Sequence, residues 1–325
     1  MLKVALLGAG GITSVHIPGW DKVENAQIVA VCDVRRDFAE KAALPLQAQV
    51  YTDVETMLQE VKPDILDVCT PSYLHYAHCV LALEQGVHVL CEKPVCFSCD
   101  QVETLYQLAD KHKVKFMVAH VIRFWSEYLQ LRKLVHDGTY GRVLAGDFYR
   151  LSALPVWSWE NWMMDKEKSG HVPYDLHIHD LDFLVYTFGN PASVTFHRSQ
   201  SERSDYLRAV YEYPGFSIHA SASWFEGDYP FKSGFRVQLE RAVVELEQGI
   251  LTAYLSNGEK VSLNATPSES GEKTGINITA CNAYDEEIKY FAACVSENKP
   301  IEKVTKTDLE NVLHILEQGC STQIP

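Results

Sequence analysis

The stretch Lys3-Val4-Ala5-Leu6-Leu7-Gly8-Ala9-Gly10-Gly11-Ile12-Thr13 lies near the start of the chain and predicts its fold. An apolar run, a glycine-rich turn and a following helical pattern form the strand–turn–helix unit of a dinucleotide-binding domain. The first glycine permits the tight turn, and the second lets the backbone approach a pyrophosphate at the helix N-terminus. Thr13 stands where the pattern has its third glycine. The turn therefore predicts cofactor-binding residues at Gly8, Gly10, Gly11 and Ile12.

The first 120 residues alternate short apolar runs with helical patterns. Strands alternating with helices indicate parallel β–α–β units and a doubly wound sheet. The predicted strands are residues 4–7, 28–32, 65–69, 87–91 and 116–119. The predicted helices are residues 38–43, 54–61, 76–85 and 102–112.

The pattern changes after about residue 122. A helix at 127–137 and a strand at 143–151 precede a helix that begins near Asp175. Six strand-like runs follow without helices between them, which favours an antiparallel sheet. These runs are residues 193–197, 207–213, 217–222, 235–239, 242–246 and 250–254; a polar loop at 264–275 and helices at 283–296 and 307–318 follow. We predict an α/β protein with a Rossmann domain at 1–122 and a second α/β domain at 123–325, with a large, mainly antiparallel open sheet.

The composition excludes several classes of partner. A formal net charge of −14 argues against nucleic acid and against an anionic membrane surface. No apolar run approaches the roughly 20 residues that span a bilayer. The nine cysteines are an odd number in a chain too large to need disulfides, so we expect a soluble, cytoplasmic protein. Cys96 and Cys99 form one C-x-x-C pair that could be redox-active or bind metal, but no second pair accompanies it, and no metal site is predicted.

Polar side chains follow two of the predicted strands. Asp33 lies twenty positions beyond Thr13, where an acid binds the ribose hydroxyls, although it could also cap the next helix. An acid there favours NAD, while Arg35 keeps NADP open because an arginine can receive its 2′-phosphate. Thr70, Pro71 and His75 follow another strand and are expected beside the nicotinamide half of the cofactor. A simple helix cap is the alternative for Thr70.

The segment Val87-His88-Val89-Leu90-Cys91-Glu92-Lys93-Pro94 ends an apolar strand in a carboxylate, an amine and a proline. Ligands bind beyond the carboxyl ends of strands in open α/β sheets. Partial burial there can lower the pKa of an amine enough for proton transfer. Lys93 is therefore a candidate catalytic residue, with an ordinary surface lysine as the alternative.

A second cluster of polar residues lies in Asp175-Leu176-His177-Ile178-His179-Asp180. On a helix that begins near Asp175, Asp175 and His179 lie four residues apart on one face. A carboxylate beside an imidazole raises its basicity and orients it for general-base work. The alternatives are an acidic first turn with solvated histidines and a metal site, for which no third ligand is evident.

Together these motifs resemble the glucose–fructose oxidoreductase/inositol dehydrogenase (Gfo/Idh/MocA) family. The resemblance spans about residues 3–190 and implies a catalytic trio of Lys93, Asp175 and His179. It also places Glu92, as part of Glu92-Lys93-Pro94, and Lys93 itself beside the cofactor. Family members often pair through their large sheets, which implies a homodimer or homotetramer.

Substrate contacts are expected from five further residues. Trp157 and Trp162 could stack on a sugar ring or pack in the second domain, and Arg123 follows the last predicted parallel strand. An exposed arginine at a domain junction is the alternative for Arg123. His171 and His177 replace glycines that are usual in the family, so two extra imidazoles are expected near the pocket.

The resemblance implies reversible hydride transfer between nicotinamide, from NAD or NADP, and a hydroxyl-bearing carbon of a sugar, inositol or related polyol. His179 is expected to take the hydroxyl proton, Lys93 to stabilise the developing alkoxide, and Asp175 to orient His179 or a substrate hydroxyl. Two alternatives stay open: an NAD-dependent glycoside hydrolase of the same family, and a non-catalytic cofactor sensor.

Overall fold

The structure is a computed structural model that describes residues 1–264 and 282–321. These residues form two compact units, one of Met1–Val121 with residues 282–309, the other of residues 122–264 with 310–321. The loop predicted at 264–275 lies outside the described residues except for Asn264. The domain roles predicted for 1–122 and 123–325 stay predictions.

The first unit is built on a six-stranded, wholly parallel sheet in the order β3-β2-β1-β4-β5-β6. Its strands are β1 Leu2–Leu7, β2 Ala26–Cys32, β3 Gln49–Tyr51, β4 Ile65–Val68, β5 His88–Glu92 and β6 Phe116–Ala119. Its helices are α1 Thr13–Asp21, α2 Arg36–Ala43, α3 Val54–Val61, α4 Ser72–Glu84, α5 Cys99–His112 and α9 Ala283–Ser296. The prediction of a doubly wound sheet is confirmed.

The central strands of this sheet are apolar because helices cover both of its faces. Val4, Ala5 and Leu6 of β1 are fully buried, as continuous apolar runs of parallel sheets require. The strand order reverses between β1 and β4, and the carboxyl ends of these strands flank the crevice where such sheets bind ligands. The fold thus brings the Gly8 and Thr70 turns to one edge of the sheet.

The second unit contains an eight-stranded sheet in the order β14-β13-β12-β11-β7-β10-β9-β8. Only the β7–β10 pair is parallel, so the prediction of a large, mainly antiparallel sheet is confirmed. Its strands are β7 Val143–Ala153, β8 Ser193–Ser201, β9 Ser204–Tyr213, β10 Phe216–Phe225, β11 Lys232–Leu239, β12 Ala242–Glu247, β13 Ile250–Leu255 and β14 Lys260–Ser262. The helices are α6 Ser126–His136, α7 Lys166–Ser169 and α8 Ile178–Phe188, and α10 Lys306–Ser321 runs from the first unit into the second.

Helix α8 is held in the second unit by two ion pairs in the interior. Arg123 donates two hydrogen bonds to Asp182, at 2.8 and 2.7 Å, and Arg150 donates to Asp180 at 3.0 Å. All four side chains are at most 4 % exposed. An aromatic cluster of Tyr128, Phe148, Phe183 and Phe235 packs the same interior. These contacts fix the rotation of α8 about its own axis.

Candidate active site

The glycine turn after β1 has the backbone that an anion-binding loop needs. Gly8 has φ +93°, and a Cβ there would lie 2.6 Å from the Cys69 carbonyl oxygen, so only glycine fits. A Cβ at Gly10 would meet nothing within 4 Å. Among the described residues, no acceptor takes the N–H groups of Gly10, Gly11 and Ile12. These three donors at the N-terminus of α1 fit a dinucleotide pyrophosphate.

Asp33, just after β2, is hydrogen-bonded to this turn. Its Oδ2 accepts the Ala9 N–H at 2.9 Å, and its Oδ1 accepts the Arg35 N–H at 2.8 Å and Nε at 3.1 Å. Burial raises the pKa of the Asp33 carboxyl, but the hydrogen bonds from Arg35 and Ala9 outweigh it and lower the pKa overall. Asp33 is therefore a carboxylate at neutral pH, and Arg35 is its partner.

Replacing Asp33 by alanine is expected to narrow any preference for NAD over NADP. The substitution removes an acceptor for the ribose hydroxyls and releases Arg35 toward a 2′-phosphate. Hydrogen bonds to charged groups contribute about 1.5–3 kcal/mol, so the affinity ratio should change roughly 10- to 100-fold. Titration of both cofactors measures it. Asp33→Asn, which keeps an acceptor oxygen, is the matched control, and unchanged affinities for both cofactors would contradict the assignment.

His75 connects the two turns that follow β4 and β5. Its Nδ1 lies 2.7 Å from the Pro94 carbonyl oxygen and its Nε2 lies 2.6 Å from the Thr70 carbonyl oxygen. The side chain is buried, and this burial lowers the pKa of the imidazole. His75 thus holds the Thr70-Pro71 and Lys93-Pro94 turns beside each other. Its predicted contact with the cofactor stays a prediction.

Glu92 ends β5, and Lys93 follows it as a half-buried residue. The Glu92 carboxylate lies inside the unit, with Oε1 3.0 Å from His16 Nε2, and its Oε2 accepts the Lys93 N–H at 3.1 Å. Burial raises the pKa of Glu92, but the hydrogen bond and charge of His16 lower it overall. We therefore interpret Glu92 as support for Lys93.

Sequence reasoning missed His16 and Asp67, whose side chains are buried in this unit. Asp67 was the sequence signal that could have revealed them, because it is an acid within the fully buried strand β4. Buried acids are rare unless they have a partner. His16, Asp67 and Cys69 offer donor atoms within 4.8 Å of one another, as a metal site would. Both His16 ring nitrogens already contact carboxylate oxygens, so we interpret the group as a hydrogen-bond network.

In the second unit, Asp175 and His179 interrupt a run of buried residues. From Val172 to Val185 every residue is buried except Asp175 and His179, which are partly exposed, and the partly buried His171 lies just before this run. A π-helical turn, Pro173–His177, leads into α8 here. Such turns occur frequently at functional sites. The structure therefore leaves the predicted base and its predicted carboxylate as the partly exposed side chains of this segment.

His177 lies on the opposite, interior side. Its Nε2 is 2.5 Å from the Tyr211 hydroxyl, and the two rings are stacked. Burial, assisted by the charge of Arg150, lowers the pKa of His177 to about 3, so the ring is neutral. Arg123 is equally enclosed and paired with Asp182. Neither residue has an exposed surface that a substrate could touch within this unit, so we leave both out of the proposed site.

The loop that carries Trp157 and Trp162 lies partly on the surface and partly in the core. Trp157 is 54 % exposed, whereas Trp162 packs against a buried cluster that includes Met163 and Trp224. His171 Nε2 lies 3.2 Å from the Met164 carbonyl oxygen. A cavity of about 590 Å³ in this unit is lined by Val156, Met164 and other residues of the loop and the adjoining strand ends.

The first unit thus defines a protein with a dinucleotide-binding Rossmann domain. The chain belongs to the Gfo/Idh/MocA family. Residues 2–120 match the model described as "Oxidoreductase family, NAD-binding Rossmann fold", and residues 128–251 match the "GFO/IDH/MocA C-terminal domain". The predicted family and the NAD-binding domain are confirmed.

Two curated relatives and one solved structure illustrate the similarity. D-glucoside 3-dehydrogenase of Escherichia coli K12 is 34% identical over 203 residues, 61% of this chain and 58% of that protein. 2,7-Anhydro-N-acetylneuraminate hydratase of Mediterraneibacter gnavus is 35% identical over 177 residues, 53% and 46% respectively. The matched stretches therefore span about half the length of these relatives. An oxidoreductase from Agrobacterium radiobacter, solved with NAD⁺, L-tartaric acid and magnesium, has the same fold, with a TM-score of 0.83, 18% identity and coverage of 99% and 96%.

Within residues 1–264 and 282–321, no helix combines the length and the apolar composition needed to cross a membrane.

Proposed function

We propose that this protein transfers a hydride between nicotinamide and a hydroxyl-bearing carbon of a sugar, inositol or related polyol. The observation that carries the proposal is that Asp175 and His179 are the partly exposed side chains of an otherwise buried helical segment. The similarity to a D-glucoside dehydrogenase supports the substrate class.

The proposed roles follow from the chemistry of each side chain. In the oxidation direction His179 takes the proton of the reacting hydroxyl, and Asp175 orients His179 or a neighbouring substrate hydroxyl. Lys93 binds the reacting oxygen and stabilises its developing negative charge. Nicotinamide supplies the hydride acceptor when it is bound. His171, which is partly exposed, is proposed to contact the substrate and to contribute to its selection.

NAD is the proposed cofactor, held by the N–H groups of Gly10, Gly11 and Ile12 and by the Asp33 carboxylate. The buried and charged state of Asp33 supports NAD, while its partner Arg35 leaves NADP within reach of the same site. Thr70 and Pro71 are proposed to border the nicotinamide half, since a Cβ on Gly8 would lie only 2.9 Å from the Thr70 nitrogen.

A second candidate is a reaction without net oxidation, such as hydration or glycoside cleavage through transient oxidation. It is favoured by one observation, the similarity to a hydratase over 53% of the chain. The same lysine and histidine would serve both reactions, because each begins by removing a hydroxyl proton and a hydride.

An assay of the purified protein distinguishes these two candidate functions. The protein is incubated with NAD or NADP and a panel of glucosides, aldoses, inositols and sugar diols. We expect reduced nicotinamide to accumulate with at least one compound. Release of free sugar from an aryl glycoside without net reduced cofactor would establish the second candidate instead. Absence of turnover with every compound, despite measured NAD binding, would contradict both and leave a cofactor sensor.

We also propose a homodimer or homotetramer that forms through the open face of the eight-stranded sheet. Tyr206, Phe225, Ile250 and Tyr254 are between 37% and 58% exposed in the single chain and share one side of the sheet by register. Exposed apolar side chains on one face of a sheet are typical of interaction surfaces.

Introducing an arginine at Ser221, in the middle of this open face, is expected to convert the oligomer to a monomer. A long charged side chain would have to be buried without a partner in the assembled sheets. Light scattering after gel filtration gives the mass of the wild type and the variant. Glu24→Arg, on the surface of the first unit, is the control, and a monomeric wild type would refute the proposal.

A cytoplasmic location is part of the same proposal. Seven cysteines of the described residues are free thiols, and six of these seven are buried. Free thiols persist in reducing compartments.

A further inference from the structure

A chain of charged groups runs through the interior of the first unit and ends at the backbone of Lys93. Its members are Asp67, His16 and Glu92. His16 Nδ1 lies 2.9 Å from Asp67 Oδ2, and His16 Nε2 lies 3.0 Å from Glu92 Oε1. The other Glu92 oxygen, Oε2, accepts the backbone N–H of Lys93 at 3.1 Å. Three elements, α1, β4 and β5, each contribute one member, so the chain links them at one point.

The geometry favours an imidazolium at His16. Both of its ring nitrogens face carboxylate oxygens, and a neutral ring has only one N–H to donate. Burial lowers the pKa of His16, but the charge of Asp67 and its hydrogen bond raise it well above the ordinary value. The groups that face the ring are Asp67 from β4, Cys69 just after β4, Glu92 from β5, and the ring of Tyr284 from α9 at 6.1 Å.

Asp67 is itself held rigidly, so it can anchor His16. The Trp20 indole Nε1 donates to Asp67 Oδ2 at 2.7 Å, and the Cys69 thiol lies 3.7 Å from Oδ1. His16 and Asp67 are both 0 % exposed. A side chain locked by packing and by such hydrogen bonds can hold another group within the narrow geometry that catalysis needs.

We propose that His16 is a positioning residue for Lys93. Clamped between Asp67 and Glu92, it fixes the Glu92 carboxylate at the end of β5 and thereby the direction in which Lys93 leaves the strand. This inference rests on the proposed function, in which Lys93 binds the reacting oxygen. Without the imidazolium, Glu92 becomes a buried charge lacking its main partner and must move or take up a proton.

The test compares His16→Gln with Lys93→Met and with Leu58→Ala, on a substrate found with the panel. Leu58 is buried on α3 and has no part in the chain of charges, so its truncation controls for general loss of stability. Misplacement of a catalytic group by about 1 Å can cost roughly 10²-fold in rate, and we expect kcat of His16→Gln to fall by about that factor. The dissociation constant for NAD should change little. Spectra of the wild type with ¹⁵N-labelled histidine should show both His16 ring nitrogens protonated at neutral pH.

The outcomes separate this inference from the proposed function. Normal turnover of Lys93→Met would overturn the proposed function itself. An inactive Lys93→Met beside a fully active His16→Gln would overturn only the role of His16, as would a neutral His16 ring in the wild type. A kcat loss in Leu58→Ala as large as that of His16→Gln, at equal stability, would make the effect merely structural.

Asp67→Asn covers the case in which His16→Gln does not fold. The asparagine keeps the shape and can still accept the Trp20 hydrogen bond, but it removes the charge that holds the His16 ring protonated. We expect a lower kcat together with loss of one ring proton in the histidine spectrum. Unchanged kcat with a doubly protonated ring would overturn the inference.

Discussion

Replacing Lys93 by methionine is expected to lower kcat by about 10²- to 10⁴-fold while NAD binding persists, because the ammonium is proposed to act on the reacting oxygen. Methionine keeps most of the length and the apolar stem of lysine, so the half-buried site stays filled. The backbone N–H of Lys93 donates to Glu92, and the substitution leaves this hydrogen bond in place. The loss should therefore concern turnover rather than folding.

Steady-state kinetics and NAD titration on the same preparation check this result. Lys41→Met, an exposed lysine at the end of α2, is the matched control and should behave as wild type. A drop in NAD affinity equal to the drop in kcat/KM would assign Lys93 to cofactor binding alone. Full turnover would remove it from the proposed chemistry.

Truncating Asp182 to alanine is expected to destabilise the protein by about 3–5 kcal/mol, since it leaves the Arg123 guanidinium buried without its partner. The pair is bidentate, at 2.8 and 2.7 Å, and its side chains are 0% and 1% exposed. Native domains are stable by only about 5–15 kcal/mol, so this one change removes a large share. Helix α8, which carries His179, loses one of the two ion pairs that orient it.

Urea unfolding of Asp182→Ala, compared with Asp137→Ala at an exposed acid just beyond α6, measures the effect. The double variant Arg123→Met/Asp182→Leu removes both charges and should recover most of the loss, because apolar pairs of similar volume often replace buried ion pairs without cost. A loss below about 1 kcal/mol, the range of exposed pairs, would show that water reaches this site.

Most of the fold could be predicted from local patterns in the sequence. The predicted helices at 54–61 and 283–296 and the strand at 116–119 coincide with the observed elements. Apolar runs and helical spacing report burial along a single element, and that information is local. Strands β3 and β14 were not predicted, because each has three residues and no fully buried position to provide an apolar signal.

The candidate site was predictable where it depends on spacing within one element. Gly8 and Gly10 are set by the backbone of one turn, and Asp175 and His179 by one stretch of helix. Lys93 was predictable because the apolar strand before it ends abruptly.

Only the tertiary structure distinguishes residues that look equivalent in the sequence. His171 and His177 looked alike as extra imidazoles, yet His171 is partly exposed near Met164 and Asp205, and His177 is buried against Tyr211. Arg123 and Asp182 are 59 positions apart and form an ion pair that neither sequence segment predicts.

The sequence by itself determined the Rossmann architecture and the dinucleotide turn, and it predicts Lys93, Asp175 and His179 as catalytic residues, because each is encoded by residues that are close along the chain. Only the tertiary structure shows what contacts the Glu92 carboxylate beside Lys93. His16 meets Asp67 across 51 positions and Glu92 across 76, and a charge network of that kind exists only once separate elements have packed together.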